Sequence, residues 1–312
     1  MRFFRLSDGC FHTNLPAAEQ QLTLAQAQLC GANSDALHLY HRNMGFLHGI
    51  RGDSANSLAH LLLALDVEGE VLKADTSLSA NIGLAYAQLG KPFHAILHLE
   101  RALAVHNDKH IHAMTPLVGI THAACYMYTG DLVKARKLWE IALSQAMSIN
   151  HDITIGTVLY NLALLSMKEK NPSEGIALCD QALTHLHQDP ERYMMALVHK
   201  AQCLLESKDL AGCTEVLKQG LPMAEGNEMF TILFESLGHR MTLNDAASAN
   251  YIENIAIPRL KNTVHMYTAL DYCDILEAHY RKNRSIKKAQ IIGCMSRDIL
   301  RGIVFSSPSP LP

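Results

Sequence analysis

The sequence predicts an all-α fold, an α-solenoid, on two observations. The first is the stretch from Ser77 to Asn107, where apolar and small residues recur at helical spacing, break at Gly90-Lys91-Pro92, and then resume. This pattern is typical of two amphipathic helices joined by a tight turn. The second is that the pattern returns in steps of 38 to 40 residues. Helix pairs in such an array bury their apolar faces against their neighbours, so no domain boundary is needed between them.

Three positions of the repeat carry small residues, which let two helix backbones approach closely. The first position holds Gly83, Ala123, Ala163 and Ala201. The second holds Ala95, Ala135, Gly175 and Cys213, and the third holds Ala102, Ala142 and Ala182. Together with Tyr86, the turn residue Gly90 and Leu103, this arrangement resembles the tetratricopeptide (TPR) repeat. The resemblance implies a right-handed superhelix of about six to seven helix pairs.

The predicted elements begin with a lone helix. It starts at Leu15-Pro16 with Asn14 as N-cap, ends near Gly31, and is expected to cover the open end of the stack. Helices at 35–50 and 54–66 form the first pair. Further pairs are expected at 76–107, 112–149, 151–188, 191–220, 227–258 and 263–302. Pro258 is expected to kink or end its helix. The domain prediction is a frayed segment 1–14, one TPR superhelical domain 15–302, and a disordered tail 303–312.

The composition favours a globular protein that acts without a nucleic-acid or membrane partner. Of 312 residues, 48% are hydrophobic and 18% are charged, and the net charge is −3, so no basic footprint for nucleic acid is expected. Basic residues cluster at 281–284 and 287–288, which is typical of a solvated face. The eight cysteines contain no Cys-x-x-Cys pair, which favours reduced thiols and a cytoplasmic protein. The longest apolar run, 61–65, is too short to span a bilayer.

No catalytic motif emerges from the sequence, and we therefore expect no enzyme and no cofactor. His94 and His98 stand four residues apart and could hold one edge of a metal site, but cysteines and carboxylates at matching spacing are missing. His106, His110 and His112 form another group, as do His185 and His187; surface or capping roles are favoured for all of them. The abundant histidines permit pH sensitivity between about pH 5 and 7. Pairs among Asp271, Asp274 and Glu277 are common on solvated helix faces.

A polar series lies two residues before the small crossing residue of each repeat. It consists of Asn43, Asn81, Thr121, Asn161 and His199, in steps of 38, 40, 40 and 38. The equal spacing predicts a ladder along one wall of the solenoid's concave groove. Each amide offers a donor and an acceptor together, so a row of amides can bind the backbone of an extended peptide.

Selectivity for such a peptide would come from neighbouring side chains. The candidates are Ile120, Tyr160, Leu164 and Phe234, and Arg42 could bind a peptide carboxylate in a bidentate pair. A structural alternative stays open, because asparagine at this position can also tie one TPR helix pair to the next. The apolar residues are likewise typical of a core between repeats.

The repeats resemble one TPR branch in particular, the C-terminal peptide-sensing domain of the RNPP receptors of Gram-positive bacteria, which include PlcR-, NprR- and Rap-like proteins. The resemblance covers roughly 15–302 and depends on the long repeat step, on the motifs Asn81-Ile82-Gly83 and 160–163, and on the closing segments 251–260 and 267–289. It implies a peptide gripped by Asn81 and Asn161, and less directly by Asn43, whereas Thr121 and His199 depart from asparagine. The N-terminal helix-turn-helix of the DNA-binding members is not found in this sequence.

The functional prediction is a non-enzymatic, cytoplasmic regulator that binds a short oligopeptide in its groove and switches a protein or DNA-regulator partner. The alternative is a TPR scaffold that holds a segment of a partner protein and senses no signal. A homodimer contact is expected near Gly293 and Ser296, which replace the usual packing residues of the last pair.

Overall fold

The computed structural model describes residues 15–27, 29, 31–67, 77–109 and 115–305, and this part of the chain is helical with short connecting turns. The predicted all-α TPR-type solenoid is confirmed. The segment 1–14, the group at His110 and His112, and the tail from 306 onward lie outside the described residues. Within the described part, no helix is long and apolar enough to cross a membrane.

The described residues divide into two compact units, one formed by those up to residue 118 and the other by residues 119–304. The described helices of the first unit are a single helix followed by two helix pairs. They are α1 (Leu15–Gln26), α2 (Ser34–Ile50), α3 (Ser54–Asp66), α4 (Leu78–Gln88) and α5 (Pro92–Lys109). The prediction of a single domain over 15–302 stays a prediction.

The second unit contains five helix pairs in its described residues. They comprise α6 (Thr115–Thr129), α7 (Leu132–Ser148), α8 (Asp152–Lys168), α9 (Pro172–His185), α10 (Pro190–Glu206), α11 (Leu210–Met223), α12 (Glu228–Met241), α13, α14 (Met266–Lys282) and α15 (Ile286–Phe305). The helix α13 has three stretches, Ala246–Tyr251, a π-helical turn Ile252–Ala256, and Ile257–Leu260. The pairs agree with the predicted ranges to within about three residues, but α15 continues to Phe305, into the tail that was predicted to be disordered from residue 303.

Pro258 explains the irregular end of α13. Proline has no backbone N–H, and its ring clashes with the carbonyl four residues earlier in a regular helix. The wider π-helical turn lies directly before it, and the helix ends two residues after it, at Leu260. The predicted disturbance of this helix is therefore observed as a local widening.

The turn inside each hairpin repeats as regularly as the helices. A residue with positive φ ends the first helix at Gly52, Gly90, Gly130, Lys170 and Lys208, again in steps of 38, 40, 40 and 38. The next residue caps the second helix wherever it is Asp or Asn; Asp131, for example, accepts from the Lys134 N–H at 3.1 Å. The left-handed residue and the cap together set the direction in which the second helix returns.

The predicted small residue is required where the two helices of a pair cross. A Cβ added to Gly83 in α4 would lie 2.6 Å from Leu99 Cγ in α5. Gly45 in α2, at the same repeat position 38 residues earlier, would meet Leu61 Cγ in α3 at 2.6 Å in the same way. The absence of a side chain on one helix lets a leucine of the other fill the crossing.

The last pair places Gly293 inside its own hairpin, where a Cβ would meet Glu277 Oε2 at 3.1 Å. Gly293 is therefore used for packing within the chain, while Ser296 is half-buried. The expected homodimer contact stays a prediction.

Five of the cysteines are buried free thiols in the helices of the second unit, and Cys294 on α15 is exposed. The buried members fit the predicted role of small apolar side chains. They are Cys125, Cys179, Cys203, Cys213 and Cys273.

Candidate binding groove

A pocket of 190 Å³ lies in the second unit among the first helices of successive pairs. Its walls come from α6, α8, α10, α12 and α14 with the turn before α14, which is the arrangement expected for the inner side of stacked helical hairpins. We call it the aromatic pocket. It is lined by Tyr128, Tyr160, Asn161, Leu164, Lys168, Met195, Val198, His199, Gln202, Leu233, Val264, His265, Tyr267, Thr268 and Asp271.

Four of the predicted site residues meet in the aromatic pocket. Tyr160, Asn161 and Leu164 come from α8, and His199 comes from the equivalent position of α10. The Asn161 Nδ2 donates to the Thr157 carbonyl at 2.9 Å, one turn earlier in its own helix. This bond orients the amide and uses only one of its two N–H groups, so its remaining donor and its oxygen can serve a ligand.

His199 presents a neutral imidazole. Its Nδ1 donates to Gln202 Oε1 at 2.9 Å, so Nε2 is the nitrogen that can accept a hydrogen bond. The pKa of His199 is lowered to about 4, mainly because the side chain is buried. The hydrogen bond to Gln202 raises this pKa by a smaller amount, and the nearby His265 lowers it. The imidazole lies 5.6 Å from the Tyr160 ring. A neutral acceptor beside an amide suits the N–H groups of a peptide backbone.

Two side-chain contacts cross the aromatic pocket and join helices far apart in sequence. The rings of Tyr128 (α6) and Tyr267 (α14) stack with centroids 3.6 Å apart and planes at 7°. Lys168 Nζ (α8) and Asp271 Oδ1 (α14) are 3.9 Å apart. The Tyr267 hydroxyl is buried and has no hydrogen-bond partner among the described residues.

The sequence analysis missed these four residues, although a signal existed for half of them. Tyr128 and Lys168 stand seven residues after Thr121 and Asn161, so they share one face of the first helix, two turns further on. Glu206 occupies the same position after His199. Tyr267 and Asp271 belong to the degenerate last repeat, where the spacing offered no guide.

A second cavity of 490 Å³ adjoins the aromatic pocket, and the two share Lys168, Gln202 and Asp271 in their walls. We call it the charged cavity. Its other lining residues are Met167, Lys170, Pro172, Glu206, Arg240, Tyr272, Asp274 and Ile275. Arg240 bonds Glu206 at 3.1 Å. Burial is the main cause that raises the pKa of both Asp271 and Asp274, so neither carboxylate is fully compensated by the cations around it.

The other predicted residues of the second unit lie away from the aromatic pocket. Ile120 is half-buried on α6, and its carbonyl accepts from Trp139 Nε1 at 3.2 Å. Thr121 is also half-buried. Phe234 is 0% exposed and packs against Gly220, where an added Cβ would lie 2.4 Å from its ring. Its place is in the core beneath the pocket, since Leu233 is the α12 residue that lines the pocket wall.

The first unit carries the first two members of the ladder. Asn43 is only 1% exposed, and its Oδ1 accepts from Arg42 Nη2 at 3.0 Å. The Arg42 guanidinium is thus engaged by its own neighbour. Asn81 is half-buried on α4. Of these two amides, Asn81 is the more accessible to a ligand.

The histidine pairs considered for metal binding have other neighbours. His94 and His98 both stack on Tyr86, at 5.1 and 5.6 Å. His185 Nδ1 lies 2.9 Å from Asp152 Oδ1. In the part of the chain that the structure describes, no group of three or more His, Cys, Asp or Glu residues has an arrangement that could hold a metal ion.

The comparisons with known proteins converge on one architecture. A Rap protein complexed with competence and sporulation factor matches 91% of this chain and 80% of its own, with a TM-score of 0.76 and 11% identity. NprR in complex with its cognate peptide NprX matches 93% of this chain and 84% of its own, with a TM-score of 0.71 and 20% identity. Aspartyl phosphate phosphatase F from Bacillus subtilis matches 93% and 77%, with a TM-score of 0.67 and 12% identity.

The fold is the TPR-type solenoid that these solved structures share. This likeness confirms the predicted resemblance to the RNPP receptors at the level of the fold. No protein-family model matches the sequence, and no curated protein matches it either.

Proposed function

We propose that this chain is a non-enzymatic regulator that binds a short oligopeptide in the groove of its second unit. One observation carries the proposal: Asn161, His199 and the aromatic side chains around them converge on a single pocket along the first helices. Of the solved structures with this fold, one is a complex with competence and sporulation factor and another is a complex with the cognate peptide NprX. The bound peptide would change the surface offered to a protein or DNA-regulator partner, in a cytoplasmic setting.

The roles of the groove residues follow from their chemistry. The amide of Asn161 donates to a peptide carbonyl and accepts from a peptide N–H, and the His199 Nε2 accepts a further N–H. Tyr160 and Leu164 supply apolar contact to side chains. Each peptide group that enters loses its water partners, so these replacements are what make binding of the backbone favourable.

A scaffold that holds a partner protein's segment is the second candidate. It is favoured by the charged cavity, whose cations and carboxylates suit a polar partner better than an uncharged peptide backbone. A partner that co-purifies with the chain, together with the absence of peptide binding, would support the scaffold.

The experiment is affinity selection from an equimolar synthetic pentapeptide pool, followed by calorimetry with the tightest peptide. Asn161→Ala is expected to weaken binding of that peptide about three- to tenfold, because the net loss of one hydrogen bond costs about 1 kcal/mol. Asn250→Ala, an exposed amide on α13 outside the pocket, is the matched control and should leave the affinity unchanged. Equal affinities for Asn161→Ala and the wild type would show that the ladder is structural.

A further inference from the structure

The aromatic pocket is too small for the ligand that the proposed function assigns to it. Its volume is 190 Å³, whereas pockets that enclose even drug-sized molecules measure about 300–1,000 Å³. The charged cavity beside it measures 490 Å³, and Lys168, Gln202 and Asp271 stand between the two. A peptide several residues long needs both spaces joined, so the contacts that divide and cover them must part first.

These contacts are the two that cross the groove. Tyr128 and Tyr267, whose rings stack, both line the aromatic pocket, and the Lys168–Asp271 pair belongs to the wall that both cavities share. Both join α14 to an earlier first helix, α6 in one case and α8 in the other. Separation of α14 from these helices would therefore open both contacts together.

Three features indicate that these two contacts are weak. Rings 3.6 Å apart at 7° overlap almost completely, and this face-to-face arrangement is less favourable than an offset or edge-to-face one. The ion pair, at 3.9 Å, is at the outer limit of direct contact. The Tyr267 hydroxyl is buried without a partner in the described residues, a cost that disappears once water reaches it.

We infer that Tyr128–Tyr267 and Lys168–Asp271 form a latch, which closes the groove in the ligand-free protein and must open before a peptide binds. This inference takes its ligand, a peptide, from the proposed function. The opening and closing of the latch do not depend on that function. Because only the open form is competent to bind, the apparent dissociation constant is the intrinsic constant divided by the open fraction. A substitution that only shifts the balance between open and closed forms therefore changes the affinity without changing a contact to the peptide.

A native cysteine reports the opening without any ligand. Cys125 lies one turn before Tyr128 on α6, is 2% exposed, and interacts electrostatically with both tyrosines of the latch. Burial raises the pKa of its thiol to about 12, so alkylation by iodoacetamide depends on opening. Cys213 on α11 is 0% exposed, has a pKa raised by burial to about 11, and serves as the internal control.

The test measures the alkylation rate of each cysteine by peptide mass spectrometry at pH 8.5. Tyr128→Ala removes one ring of the stack and should raise the rate at Cys125 about tenfold or more, with Cys213 unchanged. Tyr267→Phe keeps the ring and removes the unpartnered hydroxyl, so it should stabilise the closed form. The alkylation rate of Cys125 should then fall about tenfold. Tyr193→Phe, whose hydroxyl accepts from Gln219 at 2.9 Å outside the pocket, is the matched control and should change neither rate.

Calorimetry with the tightest pentapeptide of the pool supplies the second readout. Tyr267→Phe should weaken its binding about three- to tenfold although the lost hydroxyl is buried, and Tyr128→Ala should not weaken it by more than the lost ring contact. Unchanged Cys125 alkylation in Tyr267→Phe, or slower alkylation in Tyr128→Ala, would overturn the latch. If no pentapeptide binds any variant, the proposed function fails, while the alkylation rates still decide the latch.

Discussion

His60 lies between two other histidines within the first described helix pair. Its Nδ1 is 3.0 Å from His41 Nδ1, and its ring stacks on His48 with centroids 5.5 Å apart. Burial lowers the pKa of His60 to about 4, and the charges of His41 and His48 lower it further. The composition indicated pH sensitivity, but it did not single out this cluster, because the three residues stand seven and twelve positions apart on two helices.

The cluster predicts that acid destabilises the first unit. The pKa of His60 is lower in the folded chain than in the unfolded one, so its contribution is fully present above about pH 6.5 and is lost as the pH falls toward 4. His60→Gln removes this proton uptake. Between pH 7.5 and 5.5 the free energy of unfolding should fall about 1 kcal/mol less in His60→Gln than in the wild type, measured by denaturant titration followed by circular dichroism.

Exposed His187→Gln is the control for that measurement, and it should reproduce the wild-type pH dependence. If His60→Gln and the wild type lose stability in parallel on acidification, His60 does not change its protonation between the folded and unfolded states in this range.

At the scale of elements, the hairpin turns repeat one backbone conformation although the residue that adopts it changes. Glycine occupies the left-handed position in the first three of the regular turns, whereas lysine occupies it at Lys170 and Lys208, with φ of 67° and 65°. A residue with a Cβ is strained there by about 1–2 kcal/mol. The turn at Gly90 was predicted from the sequence; the same conformation at two lysines could not be, because lysine has no preference for it.

Lys208→Gly should therefore stabilise the protein, unlike most substitutions to glycine. We expect the free energy of unfolding to rise by about 0.5–1 kcal/mol, since relief of strain exceeds the added freedom of the unfolded chain. Lys218→Gly, at an exposed position inside α11, is the matched control and should lower it by about 1 kcal/mol. A lower melting temperature for Lys208→Gly would mean that the turn does not strain its lysine.

At the scale of the whole molecule, the repeat array divides into two compact units. Units that bury separate cores can unfold in separate steps, and then different probes report different transitions. The only tryptophan in the sequence, Trp139, is 0% exposed in the second unit, so its fluorescence reports that unit. Circular dichroism at 222 nm reports helices throughout the chain.

Two glycines, one in each unit, test the independence of the units. Gly83→Ala in the first unit places a Cβ 2.6 Å from Leu99 Cγ. Gly156→Ala in the second unit places a Cβ 2.5 Å from Leu186 Cγ. Each should cost about 1–3 kcal/mol, reduced by the better helix propensity of alanine. Gly156→Ala should lower the fluorescence midpoint in urea, whereas Gly83→Ala should lower only the dichroism midpoint. Coincident shifts in both probes would show a single cooperative unit.

The sequence by itself determined the architecture and the register of the repeats. Small residues at Gly83 and its equivalents, and the ladder through Asn161 and His199, follow from contacts between neighbouring segments, which a regular step makes visible. Only the tertiary structure decided which ladder members share a pocket, that Asn43 and Phe234 are buried, and that Tyr128 meets Tyr267. Tyr128 and Tyr267 stand more than a hundred positions apart, so their contact depends on how small rotations add over several helix pairs, and no local pattern records that sum.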